Sequence, residues 1–113
     1  MTTEFSLPAT LNVLARDVLE INTNNGWDVT TIEDWHGSKY KIPAVIALIG
    51  SEASEALEAF RNNDYANFRE EIADIIIRCL DLAAGMGMDI EYELLMKMQK
   101  NRGRGIRHGG KRV

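Results

Sequence analysis

The fold is decided by residues 43–82, which read PAVIALIGSEASEALEAFRNNDYANFREEIADIIIRCLDL. Pro43 favours the first turn of a helix and the polar residues 61–64 favour a turn, so the stretch predicts helices over 43–62 and 65–86. Each predicted helix carries two carboxylates three residues apart, a spacing that places both on one face. We therefore expect a helical hairpin in which two acidic pairs face each other.

The first acidic pair, Glu52 and Glu55, interrupts an apolar stripe. On a helical wheel Glu52 lies within roughly 40° of Val45 and Leu48, and Glu55 lies close beside Leu48. A buried carboxylate without a partner costs several kcal/mol. An acid on a core-facing stripe therefore predicts a bound cation, a retained proton or a charged partner.

The second pair, Glu71 and Asp74, gives a weaker signal because Arg78 and Asp81 share its side of the helix. Alone it would be interpreted as a solvent-exposed stripe, the usual place for acidic residues. Two pairs on successive helices are better evidence, since four carboxylates can then converge on one place. With no His or Cys among them, such a set favours Mg²⁺ or Mn²⁺ over Zn²⁺.

The chain of 113 residues is long enough for one domain, and its 45% apolar and 27% charged residues are ordinary for a globular protein. A formal net charge of −4 argues against a nucleic-acid binder. The single cysteine, Cys79, has no partner for an intramolecular disulfide, which favours a reducing compartment. No apolar run suggests a membrane span and the N-terminus does not resemble a signal peptide, so we expect a cytoplasmic protein.

The remaining segments complete an all-α prediction. Ser6 and Pro8 favour a helix over 6–24, a further helix is expected over 89–101, and no segment alternates as a strand does. We therefore predict a bundle of four antiparallel helices with a long loop over 26–42. Apolar stripes on at least three helices exceed what one such bundle buries, so a homodimer or homotetramer is expected.

Aromatic side chains concentrate in the 26–42 loop, where Trp27, Trp35 and Tyr40 offer flat surfaces on which a nucleobase could stack. A long loop in a small domain is often functional. The alternative, that these aromatic side chains only anchor the loop to the core, stays open on the sequence alone.

The C-terminal stretch 102–113 contains five basic residues, four glycines and no acidic residue. Its glycines disfavour a continued helix, and its arginines could hold phosphate oxygens in bidentate fashion. A solubilising tail without fixed structure is the alternative. Basic side chains near a carboxylate-bound metal ion are typical of phosphoryl transfer and phosphate hydrolysis.

Four stretches of the second half stand out, namely SEASEALEAFR at 51–61, EEIADIIIR at 70–78, KMQKNRGR at 97–104 and HGGK at 108–111. With them, residues 42–113 resemble the MazG-like nucleoside triphosphate pyrophosphohydrolases of the all-α NTP-pyrophosphatase superfamily. The first two stretches together form the family's Glu-x-x-Glu and Glu-x-x-Asp motif. Gly105 and Ile106 depart from the family, whose members often have proline and an aromatic residue there.

The resemblance implies a Mg²⁺-dependent enzyme, with Mn²⁺ as a substitute, that cleaves an NTP or dNTP into the monophosphate and pyrophosphate. It implies that the metal is bound by Glu52, Glu55, Glu71 and Asp74. Either Glu52 or Glu55 would activate the attacking water, and the sequence does not choose between them. The expected substrate-binding residues are Lys97, Asn101 and Arg104 of the last helix and its end, Lys111 of the tail, and Trp35 of the aromatic loop.

Two other functions stay open. A non-catalytic helical module would use the acids to hold a structural cation and the basic tail to dock on a nucleic acid or an acidic partner. A related helical phosphohydrolase would act on a different phosphorylated compound. The resemblance also implies a homo-oligomer, because relatives assemble with the nucleotide site near a subunit interface.

Overall fold

The computed structural model describes residues 10–104 and contains, within that range, five helices and no strand. The architecture is therefore all-α, as expected. In chain order the helices are α1 (Leu11–Asn24), α2 (Ile32–Gly37), α3 (Lys41–Arg61), α4 (Tyr65–Gly85) and α5 (Ile90–Gly103).

Helix α4 is the centre of the fold, because α3 and α1 both pack along it. Three residues, 62–64, connect α3 to α4 and close the predicted hairpin. The side chain of Asp64 caps α4 by accepting a hydrogen bond from the Asn67 amide at 3.0 Å. The turn also needs a left-handed residue, which Asn63 supplies with φ of 55°.

The buried core is small and is built mainly from alanines, which allow the helices to approach closely. No large side chain in the described range is fully buried. The core therefore stabilises the fold only modestly, and many large apolar side chains of the described range stay exposed. Its buried apolar residues are Ala15 of α1, Ala56 and Ala59 of α3, and Leu80 and Ala83 of α4.

Helix α1 begins later than predicted. The expected start at residue 6 is replaced by one at Leu11, because Thr10 is extended and its hydroxyl accepts a hydrogen bond from the Val13 amide at 3.2 Å. Residues 1–9, including Ser6 and Pro8, lie outside the described range. The start of α1 is tied to the start of α5, where Glu91 accepts a hydrogen bond from the Leu11 amide at 2.9 Å.

The predicted loop over 26–42 contains a short helix in its second half, and its last two residues belong to α3. Helix α2 lies within it, held by a capping box in which the Asp34 carboxylate accepts a hydrogen bond from the Thr31 amide at 2.8 Å. Helix α3 starts at Lys41 because the Ser38 hydroxyl accepts a hydrogen bond from its amide at 3.1 Å. Pro43 is tolerated in the first turn, where amides have no intrahelical partner.

Helix α5 ends at Gly103, so the first two residues of the predicted 102–113 tail are helical. Residues 105–113 lie outside the described range. Between residues 10 and 104, no helix is both long enough and apolar enough to cross a membrane.

Candidate metal centre and adjoining groove

Three of the four predicted metal ligands come together in the structure. Carboxylate oxygens of Glu52, Glu55 and Glu71 all lie within 4.8 Å of one another. Glu52 and Glu55 are one turn apart on α3, and Glu71 faces them from α4. Glu52 and Glu71 are only 8% and 9% exposed, whereas Glu55 is exposed to solvent. We call these three residues the acidic cluster.

Asp74, the fourth predicted ligand, does not belong to the acidic cluster. It lies half-buried one turn further along α4 and lines a groove together with Glu52. Its negative charge still acts on the cluster, because it helps to raise the pKa of Glu71. The structure therefore places Asp74 beside the three converging acids, close enough to influence them.

Glu52 has a charged partner that the sequence did not identify. The Nε of Arg78 donates a hydrogen bond to Glu52 Oε1 at 2.8 Å. This contact is the main reason that the pKa of Glu52 lies below its usual value. The available signal was that Arg78 lies on the same side of its helix as Glu71 and Asp74. That position suggested that Arg78 belongs to a solvent-exposed stripe and gave no indication that it is the partner of Glu52.

Glu71 is in the opposite situation. Its Oε2 is buried and accepts no hydrogen bond from any described residue. Contact with the Glu55 carboxyl, then burial, then the charges of Glu55, Glu52 and Asp74 raise the pKa of Glu71 to about 7. Buried polar atoms almost always have a partner, so this oxygen calls for one that residues 10–104 do not supply.

The acidic cluster lies between two clefts. The larger, which we call the groove, has a volume of about 460 Å³ and runs between α3 and α4, with Glu52 and Asp74 lining one part and Lys41 and Asp81 another. Its remaining walls come from α1 and from the segment before α2. The smaller cleft, of about 350 Å³, lies beside the hairpin turn and is lined by Glu55, Glu58, Ala59, Asn62, Asp64, Asn67 and Glu71.

Lys41 fixes one wall of the groove, a role that the sequence did not reveal because the residue was assigned to a loop. Its Nζ donates a hydrogen bond to the Val29 carbonyl oxygen at 2.8 Å and forms ion pairs with Asp28 at 3.1 Å and Asp34 at 3.6 Å. The hydrogen bond with Asp28 is the main reason that the pKa of Lys41 is raised. Lys41 therefore ties the start of α3 to the segment that precedes α2.

None of the predicted substrate-binding residues in the described part of the chain lines either cleft. Trp35 is largely exposed on α2 and lines neither cleft, whereas Trp27 does line the groove. The α5 residues are exposed as well and line neither cleft, so their role stays a prediction; they are Lys97, Asn101 and, just after the helix, Arg104. Lys111 lies outside the described range.

Comparison with known proteins identifies the family. Neither the search of curated proteins nor the search of solved structures returned a significant match. The sequence profile of the MazG-like family matches residues 48–112, more than half of the chain, and the matched region contains Glu52, Glu55, Glu71 and Asp74. The all-α hairpin with its converging acids agrees with that match. The chain therefore belongs to the MazG-like family.

Proposed function

We propose that this protein is a Mg²⁺-dependent pyrophosphohydrolase that cleaves an NTP or dNTP to the monophosphate and pyrophosphate. One observation carries the proposal: Glu71 Oε2 is buried, has no partner among the described residues, and belongs to a cluster of three carboxylates from two helices. Membership of the MazG-like family supports a nucleotide pyrophosphatase-type activity. The cytoplasmic location expected from the sequence belongs to the same proposal, because such an enzyme needs access to nucleoside triphosphates.

The acidic cluster fits a hard divalent cation. Its donors are all carboxylate oxygens, the ligands that Mg²⁺ and Mn²⁺ prefer, and Asp74 stands close by as a fourth. When bound, Mg²⁺ would polarise phosphate oxygens and offset the charge that develops on them. Glu71 would exchange its retained proton for the cation, which would remove the repulsion among the three carboxylates.

Glu55 is our assignment for the residue that activates water. Glu52 is held by Arg78, and its lowered pKa makes it a poor proton acceptor. Glu55 is exposed, belongs to the cluster and lines the smaller cleft, so water can reach it. We expect Glu55→Gln to lower kcat by at least about 100-fold. A Glu55→Gln variant with wild-type kcat would exclude this role and return the assignment to Glu52.

We propose a homodimer or homotetramer as the working form. Many large apolar side chains of the described range are at least one-third exposed, on several helices, and a small alanine-rich core does not cover them. A second copy would also explain how Lys97, Asn101 and Arg104 contact substrate, since they line neither cleft in the protomer. Light scattering at micromolar concentration should give at least twice the mass of 12.7 kDa, and a stable monomer would contradict the proposal.

The reaction is tested with a panel of NTPs and dNTPs, with Mg²⁺ or with EDTA, while pyrophosphate, orthophosphate and nucleoside monophosphate are measured. We expect pyrophosphate and monophosphate in equal amounts, only when Mg²⁺ is present. Glu58→Gln is the matched control, because Glu58 lines the same cleft as Glu55 but is not part of the acidic cluster. If folded protein in saturating Mg²⁺ hydrolysed none of these nucleotides, the proposed function would be overturned.

A further inference from the structure

The groove contains a polar pair that the proposed chemistry does not use. Asn22 of α1 and Asp81 of α4 both line it, and the Nδ2 of Asn22 donates a hydrogen bond to Asp81 Oδ1 at 3.1 Å. Within residues 10–104 this is the only hydrogen bond that either side chain makes. Asp81 Oδ2 therefore stays available as an acceptor, and the second amide hydrogen of Asn22 stays available as a donor.

An anchored segment places an aromatic ring at the same part of the groove. Trp27 lines the groove and is 62% exposed, so its ring does not pack into the core and is accessible from the groove. Its amide donates a hydrogen bond to the Asn22 carbonyl oxygen at 2.9 Å. Thr30 is buried against Gly85, where an added Cβ would collide with the Thr30 carbonyl oxygen, and Lys41 binds the intervening segment.

The charges of the groove favour a ligand that donates hydrogen bonds. Both of its basic side chains, Lys41 and Arg78, are already bound to acids. Asp74 and Asp81 form no ion pair within the part of the chain that the structure describes. A neutral ring with an amino group is attracted to such an acceptor-rich wall, whereas carbonyl oxygens on the ring are repelled.

Distance along α4 separates this pair from Asp74, which lies beside the acidic cluster. Asp74 and Asp81 are seven residues apart, which is two helical turns or about 10 Å. A nucleotide can therefore hold its phosphates at the Glu52 and Asp74 end while its base lies against Trp27. The groove volume of about 460 Å³ is within the range of small-molecule sites.

We propose that this end of the groove is the base-binding subsite, in which Trp27 stacks on the base and the Asn22–Asp81 pair selects bases that carry an exocyclic amino group over uracil and thymine. The inference rests on the proposed function, because it takes the acidic cluster as the phosphate end of the same nucleotide. Asp81 Oδ2 accepts a hydrogen bond from the amino group, and Asn22 donates one to the neighbouring ring nitrogen. Both residues determine specificity and take no part in bond cleavage.

The decisive measurement is the ratio of kcat/KM for CTP to that for UTP, since the two substrates share ribose, phosphates and ring size. We expect the wild-type ratio to be at least about tenfold in favour of CTP. Asp81→Asn turns the acceptor into an amide and should lower the ratio by at least about tenfold, while Glu20→Gln, an exposed change on α1, should leave it unchanged. If Asp81→Asn lowered kcat/KM equally for CTP and UTP, Asp81 would only join α1 to α4, and the inference would be overturned.

A binding experiment tests the subsite without relying on hydrolysis. Trp35→Phe leaves Trp27 as the only tryptophan, so its fluorescence reports the groove. CMP should quench it at a concentration at least about tenfold lower than UMP does, and equal or absent quenching would overturn the inference. Circular dichroism checks that Asp81→Asn folds. If it does not, Asn22→Ala takes its place and should reduce the difference between CMP and UMP. Hydrolysis without base preference would overturn the inference alone, whereas CMP-selective quenching without any hydrolysis would overturn the proposed function alone.

Discussion

The two sides of the α3–α4 hairpin differ in whether their charged side chains have partners. On the groove side, Glu52 is bound to Arg78 and Lys41 is bound to Asp28. On the side of the smaller cleft, Glu71 keeps a buried oxygen without a partner among the described residues. The same two helices therefore contain one buried carboxylate with a partner and another without one in residues 10–104.

This difference separates a cluster carboxylate that has a partner from one that has none among the described residues. The Arg78 hydrogen bond joins α3 to α4 and keeps the Glu52 carboxylate ionised. An unsatisfied carboxylate among like charges costs free energy in the metal-free protein. Such a cost is expected at a site where a bound cation recovers it. Each of the following experiments tests one side of the hairpin against the other.

The largest expected effect comes from Glu71→Gln. Loss of this ligand should lower Mg²⁺-dependent kcat/KM by at least about 100-fold, because even residues that only support metal ligands cost 10- to 100-fold. Thermal stability in EDTA should not fall, since the change removes a carboxylate that its neighbours repel. The measurement is pyrophosphate release together with melting in EDTA.

Glu58→Gln is the control for that experiment, because Glu58 lines the same cleft and is paired with Arg61 outside the acidic cluster. It should keep wild-type kcat/KM. A Glu71→Gln variant that hydrolyses NTPs at the wild-type rate would remove the contrast between the two sides of the hairpin, because the unsatisfied carboxylate would then have no function.

Arg78→Met tests the satisfied side. It leaves the buried Glu52 carboxylate without its hydrogen bond, and we expect the free energy of unfolding to fall by about 1–3 kcal/mol. The control is Arg61→Met, which breaks an exposed Arg–Glu pair on the neighbouring helix end and should cost less than about 0.5 kcal/mol. Urea denaturation measures both, and equal costs would show that burial does not distinguish the two pairs.

Gly85→Ala tests whether the groove wall is fixed by close contact. An added Cβ would collide with the Thr30 carbonyl oxygen, so we expect a loss of about 1–2 kcal/mol in the free energy of unfolding. Gly50→Ala lies within α3 where an added Cβ meets nothing, and it should instead gain about 0.5–1 kcal/mol. Urea denaturation that gave both substitutions the same sign would show that Thr30 does not pack tightly on α4.

The features that sequence predicts well here depend on neighbours within one helix. The wheel position of Glu52 among apolar residues predicted its burial, and the spacing of the acids predicted which faces meet across the hairpin. Asp74 shows the limit of that geometry. It has the same three-residue spacing from Glu71 that Glu55 has from Glu52, yet it lines the groove instead of joining the cluster. Spacing within one helix does not fix how that helix is rotated against its neighbour.

The features that sequence missed join residues far apart in the chain. Arg78 reaches Glu52 across 26 residues, and Asn22 reaches Asp81 across 59. Neither pair follows from periodicity, because each depends on how one helix is rotated against another. Lys41 was missed for a different reason: its partners lie in the predicted loop, whose short helix depends on the capping box at Thr31.

A pH dependence of stability is also expected in the metal-free protein. Glu71 has a pKa of about 7 when folded and about 4.5 when unfolded, so between these values the folded chain keeps a proton that the unfolded chain releases. The melting temperature in EDTA should therefore fall as the pH rises from 5 to 7 and then level off. Glu52 has a lowered pKa, so its contribution changes below this range. Glu71→Gln should flatten the curve and Glu58→Gln should not, whereas a melting temperature that rises with pH through this window would place the retained proton elsewhere.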